Sequence, residues 1–234
     1  MSASVSEDLL LVVTGSEGSG KSATANTILN RQAFESKAGS STVTQECQSE
    51  SQVLSDGRRV TVVDTASSLH DPRGCLSQSQ HGTRVFLLTV RVGRFTEGER
   101  QHIARLENQL GRHFYQDAIV LFTHGDDLEE GETIQQDIAS NPHLCALVKK
   151  CRGRHHVFDN KCPTDRGQVD RLLEKVGEVV KNRGTAGISR QVISLSLGTG
   201  AAVLAVVLYY YQPTFVRWLW LRFVAQNGDH NPLR

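Results

Sequence analysis

Short apolar runs of strand length alternate with stretches of helical spacing along the first 180 or so residues of the chain. Residues 8–14 (DLLLVVT) run into Gly15 as a buried parallel strand does, and residues 22–30 (SATANTILN) have helical composition. Residues 45–54 and 59–64 flank Asp56-Gly57, a strong turn pair, so the pattern predicts two antiparallel strands there. Residues 85–92 (VFLLTVRV) and 118–123 (AIVLFT) predict two more buried strands, with a helix over 97–110 between them. A short helix opened by Pro142 is predicted over 142–151, a last strand over 155–158 and a closing amphipathic helix over 165–183. Strands alternating with helices specify an α/β fold: an open, mostly parallel sheet with helices on both faces.

The pattern changes after residue 183. Residues 184–191 (GTAGISRQ) read as a small, flexible linker. Residues 192–211 (VISLSLGTGAAVLAVVLYYY) then run for 20 residues without a charge, which as a helix spans about 30 Å, the thickness of a bilayer core. The run is read as a transmembrane helix, with Tyr209 to Tyr211 and Trp218 and Trp220 at the interface. A buried helix of the globular domain is the competing reading, since Ser194, Ser196, Gly198, Thr199 and Gly200 soften the first half. The four-residue recurrence of Ser194, Gly198 and Ala202 would let two such helices approach closely. Residues 212–234 are expected to lie in the headgroup region through Arg217 and Arg222 or to form a disordered tail.

Composition narrows the picture only a little. The 26 basic and 25 acidic residues leave a net charge of +1, so no global field calls for nucleic acid. Five cysteines (Cys47, Cys75, Cys145, Cys151 and Cys162) form no short ligand pairs and no apolar leader precedes the first strand. That reads as a reducing compartment and a cytosolic domain, without structural zinc.

The chemistry begins at Gly15-Ser16-Glu17-Gly18-Ser19-Gly20-Lys21-Ser22, a full match to G-x-x-x-x-G-K-[ST] between a predicted strand and a predicted helix. In such a loop the backbone N–H groups and the helix start, through Ala23, surround phosphates. Lys21 would reach the β- and γ-phosphates and Ser22 would ligate Mg²⁺. Asp64, closing the strand VTVVD, is the expected second Mg²⁺ support, and Thr44 is a third candidate ligand as well as an ordinary loop threonine. Base choice falls to Thr123-His124-Gly125-Asp126-Asp127-Leu128, because a carboxylate there can accept from guanine N1–H and its exocyclic amine, which adenine does not offer. Phe158-Asp159-Asn160 is expected at the same sheet edge.

These stretches resemble the IMAP family of immunity-associated GTPases, whose AIG-type G domain is a septin-like P-loop GTPase of the TRAFAC class. The matching segments are GSEGSGKSATANTIL at 15–29, STVTQEC at 41–47, VDT at 63–65, VGRFTE at 92–97, LFTHGDDL at 121–128 and VFDNK at 157–161. The resemblance covers residues 9 to about 183 and implies a Ras-like three-layer domain over 1–183 that binds GTP or GDP with Mg²⁺. It further implies that His124 stacks on the base, that Asp127 rather than Asp126 reads its edge, that Asn160 closes the pocket and that Ser36 lies along the ribose-phosphate side. GTP-dependent homo- or hetero-dimers with related G domains are also implied. With the C-terminal span, the reading is a switch or assembly scaffold on the cytosolic face of an intracellular membrane.

One departure bears on catalysis. Where the family has Asp-Thr-Pro-Gly, this chain has Asp64-Thr65-Ala66-Ser67, and the lost glycine N–H is the group that senses the γ-phosphate. Slow or absent GTP hydrolysis is therefore expected, with no residue assigned a catalytic role; Arg73 and Arg84 are candidate arginines that a dimer partner would supply. The alternatives are a constitutively loaded pseudo-GTPase scaffold and an ATP-using P-loop protein, the second leaving the 123–128 loop unexplained.

Overall fold

The computed structural model of the chain describes residues 8–36, 47–54, 56–66 and 83–196. Among the described residues there are six strands: β1 (Leu9–Thr14), β2 (Gln48–Val53), β3 (Arg59–Asp64), β4 (Thr83–Arg91), β5 (Ala118–Thr123) and β6 (His155–Val157). They form one sheet in the order β2-β3-β1-β4-β5-β6. Every pairing is parallel except that of β2 with β3. Parallel neighbours need crossovers, and the described helices are α1 (Lys21–Leu29), α2 (Glu97–Leu110), α3 (Ile134–Ser140), α4 (Pro142–Lys150) and α5 (Arg166–Ser196).

The apolar runs of β1 and β5 are buried on both faces, which is why they read as continuous and not alternating. Within β1, Leu10 and Val12 pack in one layer with Ile103 and Leu106 of α2 and Leu144 and Leu147 of α4. Leu9, Leu11 and Val13 pack in the other with Ile28 and Leu29 of α1 and Val169, Leu172 and Val176 of α5. The sheet is thus the middle of three layers, as expected.

Local chemistry sets the helix ends. The Thr96-Glu-Gly-Glu99 stretch forms a capping box at the start of α2, in which the Thr96 N–H donates to the Glu99 carboxylate at 2.5 Å. At the other end of α1 the carbonyls left open by the last turn are taken up by Arg166, which donates to Thr27 O at 2.7 Å and Ile28 O at 3.2 Å.

The antiparallel pairing of β2 with β3 across Asp56-Gly57 is as expected, with Gly57 at φ 83° and the Arg58 N–H donating to Asp56. Several expectations change. Helix α3 was not anticipated, although Thr133 and Gln136 cap it. Helix α5 continues to Ser196, so residues 184–191, expected as a linker, are helical; adding a residue to an existing helix costs far less than nucleating one. Cys47, just before β2, is disulfide-bonded, against the expectation from cysteine number and spacing of a reducing compartment; Cys145, Cys151 and Cys162 are free. Arg84 pairs in register with Leu10, at the far end of β4 from the phosphate loop, and so does not sit near the nucleotide edge of its own domain. The expected C-terminal apolar helix is not supported: among the described residues no helix is long and apolar enough to cross a membrane. Residues 197–211 of that span, together with Thr44, Ser67 and Arg73, lie outside the described residues.

Candidate functional site

The phosphate loop connects β1 to α1 at the C-terminal edge of the parallel strands. Two of its residues must be glycine. A Cβ on Gly15 would stand 2.2 Å from Thr89 Oγ1 and 2.7 Å from the Thr89 carbonyl, and Gly20 has φ 84° as it caps α1. The loop is clamped from below. Ser19 Oγ and Thr89 Oγ1 share a hydrogen bond of 2.7 Å, Thr89 Oγ1 also donates to Thr14 O, and Thr123 Oγ1 donates to Ser19 O at 2.9 Å.

Lys21, 8% exposed, donates from Nζ to Ser16 O at 2.8 Å, so the ammonium lies under the loop's own arch. Burial lowers its pKa from the ordinary lysine value, and the Asp64 and Glu17 carboxylates oppose that. Ser22 Oγ donates to Asp64 Oδ2 at 2.5 Å, and Asp64 is fully buried at the end of β3. Two hard oxygen ligands side by side suit Mg²⁺, which takes one or two protein oxygens and fills its octahedron with phosphate oxygens and water. The residues present therefore fit the expected ion. Thr65, one step on, is fixed by donating from N and Oγ1 to Val13 O.

The loop after β5 arrives at the same edge. His124 adopts the left-handed conformation at φ 58° with Nδ1 3.1 Å from Thr123 Oγ1. The Gly125 N–H donates to Phe158 O at 2.9 Å, and a Cβ there would stand 2.8 Å from Val157 Cγ1. Neither candidate reader is idle: Asp126 is paired with Lys161, and Asp127 Oδ2 accepts from Arg91 Nη2 at 2.8 Å and Nε at 3.2 Å. The hydrogen bond from Lys161 holds the Asp126 carboxyl below the usual carboxylate range.

Asn160 faces α1, accepting from Thr27 Oγ1 at 2.9 Å and donating to Thr24 Oγ1 at 3.1 Å. With Ala23, Asn26, Thr27 and Ser36 it lines a cavity of about 250 Å³. A second cavity, of about 360 Å³, lies outside Ser16, Glu17 and Gly18 and reaches Arg91, Arg94 and His102. His102 is buried with Nε2 3.0 Å from Thr14 Oγ1, and burial, reinforced by Lys21 and Arg105, lowers its pKa to about 4.

Sequence reasoning missed Thr89, Thr123 as a clamp, His102 and Arg91. Thr89 and Arg91 were visible as the polar residues interrupting the apolar run VFLLTVRV; nothing local marked His102.

A strand-loop-helix phosphate cradle, a buried strand-end aspartate on its serine and an acidic loop at the same edge meet in one arrangement, and residues 9–196 match the AIG1 family. The chain belongs to the AIG1 family. Among the relatives of this AIG1 chain, GTPase IMAP family member 8 of Mus musculus is 34% identical over 192 residues, covering 75% of this chain and 28% of the relative. Immune-associated nucleotide-binding protein 9 of Arabidopsis thaliana is 37% identical over 188 residues, covering 73% and 55%. The chain thus spans only about a quarter to about half the length of these relatives. In fold it is similar to Toc33 from Arabidopsis thaliana in complex with Mg²⁺ and GMPPNP, at a TM-score of 0.58 and 14% identity over 75% of this chain and 85% of that one. A further solved structure, on the chloroplast translocon components atToc33 and psToc159, gives a TM-score of 0.61 at 14% identity over 75% and 84%; its authors state that dimerization is important for their GTPase activity. The α/β P-loop GTPase fold with a mostly parallel sheet follows from both lines.

Proposed function

We propose that the chain binds GTP and GDP with Mg²⁺ and acts as a nucleotide-dependent switch or assembly scaffold held on the cytosolic face of an intracellular membrane by residues 192–211. The observation that carries the nucleotide part is the meeting at one sheet edge of Lys21, the Ser22–Asp64 pair and the Asp127 loop. Lys21 would meet the β- and γ-phosphates, the loop N–H groups would surround them, and Ser22 with Asp64 would hold the ion. Mg²⁺ there neutralises phosphate charge. Asp127 would accept from the guanine edge, His124 would lie against the base, and Ala23, Ser36 and Asn160 would line the sugar side.

Hydrolysis is slow in this reading, because Ser67 replaces the glycine whose N–H senses the γ-phosphate. A second G domain would raise it, in line with the stated importance of dimerization in the translocon GTPases. Competition of GDP and ADP for the full-length protein tests the base assignment: GDP is expected to win by at least about 10-fold, since a carboxylate pairing with a base donor contributes about 1.5–3 kcal/mol. Asp127→Asn should erase most of that margin, and equal affinities in the unmodified chain would end the guanine reading. Alkaline carbonate extraction tests the anchor; recovery of the intact chain in the soluble fraction would end that part alone.

A further inference from the structure

Asp127 is expected to read guanine, yet its Oδ2 is already engaged by a group of the same chemistry. Guanine presents N1–H and the exocyclic N–H₂ as parallel donors on one carbon, and the Arg91 guanidinium presents Nε–H and Nη2–H in the same way. Both are planar two-donor forks made for a carboxylate. Arg91 directs both of its N–H groups at Oδ2, at 2.8 and 3.2 Å. An ionised carboxylate offers about four lone-pair sites over two oxygens, so Oδ2 is filled and Oδ1 is the oxygen left for a base.

Arg91 is well placed to keep that position. Its backbone pairs with Thr123 at the end of β5, directly before the reader loop, and an isolated bridge to Arg94 closes the turn behind it. The side chains of Arg91 and Asp127 are 39% and 34% exposed, and such half-exposed pairs contribute little, so a ligand with a better fork can displace Arg91. Hypoxanthine, which has the ring N–H and lacks the amine, needs only one oxygen.

We infer that Arg91 is an intramolecular competitor for the guanine amine at Asp127, and that it sets how strongly the site prefers guanine over other 6-oxopurine nucleotides. Guanine must displace Arg91 to use both oxygens, whereas a hypoxanthine nucleotide binds beside it. The result is a site that excludes adenine but discriminates only modestly between GDP and IDP. This rests on Asp127 being the base reader.

The test is the ratio of GDP to IDP affinity, measured by displacement of a fluorescent nucleotide from the full-length protein, in the unmodified chain and in Arg91→Ala, Arg91→Lys and Asp127→Asn. Taking the ratio cancels any general loss of positive potential near the phosphates. Arg91→Ala should raise the GDP preference about two- to five-fold, the range an exposed pair contributes. Arg91→Lys, a single-point cation without the fork, should raise it less. Added salt should raise the ratio in the unmodified chain and leave Arg91→Ala unmoved, because screening weakens the competitor. An unchanged or lowered ratio in both Arg91 variants, with Asp127→Asn still lowering it, would overturn the competition while leaving the reader in place. No response to Asp127→Asn would remove the reader itself, and the competition with it.

Discussion

Lys21 is 8% exposed and Asp64 fully buried, whereas Asp127 and Arg91 expose 34% and 39% of their side chains. The two ends of one nucleotide edge are thus built in different media. At the phosphate end Ser19 is set by buried hydrogen bonds with Thr89 and from Thr123, and Ser22 by a part-buried one to Asp64, so the loop's geometry exists before a ligand arrives. At the base end the acidic side chains stand in half-exposed ion pairs that a ligand can rearrange. Affinity should therefore sit with the buried end, and selectivity should be adjustable by small changes at the exposed one.

The largest expected effect is on the buried side. Lys21→Ala should weaken GDP binding on the order of 100-fold with the fold retained, since a charge-assisted phosphate contact is lost and a desolvated ammonium is relieved. Calorimetric titration checks this, and an unaltered affinity would sink the site assignment.

Next is the clamp. Thr89→Val keeps the shape but leaves Ser19 Oγ without its 2.7 Å partner, so about 1–3 kcal/mol of stability should go. GDP affinity should fall by about 10-fold as the loop loosens. If denaturant unfolding and nucleotide titration both match the unmodified chain, the phosphate end is no more preorganised than the base end.

A pH series separates the ends further. The His102 pKa is lowered from 6.5 to about 4 by burial, and His156 likewise. The unfolded chain therefore binds more protons than the folded one between those values, so stability should fall as pH drops from 6.5 towards 4. In His102→Gln that slope should flatten; an identical slope would mean that His102 does not contribute.

The smallest effect is expected at Lys161→Ala, which frees Asp126 from a pair whose lysine is 72% exposed. Neither melting temperature nor guanine preference should move measurably. A lost preference would shift the reading role from Asp127 to Asp126.

The same contrast explains what the sequence disclosed. The Gly15 to Ser22 motif and Asp64 are legible because phosphate chemistry dictates residue type at fixed spacing. Buried strands β1, β4 and β5 are legible because both faces are apolar. Thr89 and Thr123 touch the loop only through the β1-β4-β5 register, and His102 only through the seating of α2, so no local pattern carries them. Helix α3 was overlooked for its brevity, and α5 was cut short because Gly184 and Gly187 resemble a linker while an established helix tolerates them. Asp127 was singled out from the sequence as the candidate base reader, but its engagement by Arg91, 36 positions earlier, belongs to tertiary structure alone.

Arg166 holds the last carbonyls of α1, and α1 is nine residues long with Lys21 as its first residue. The helix that begins at the phosphate-loop lysine is thereby tied at its other end to the start of α5, so Arg166→Ala should loosen the last turn of α1 without touching the loop itself.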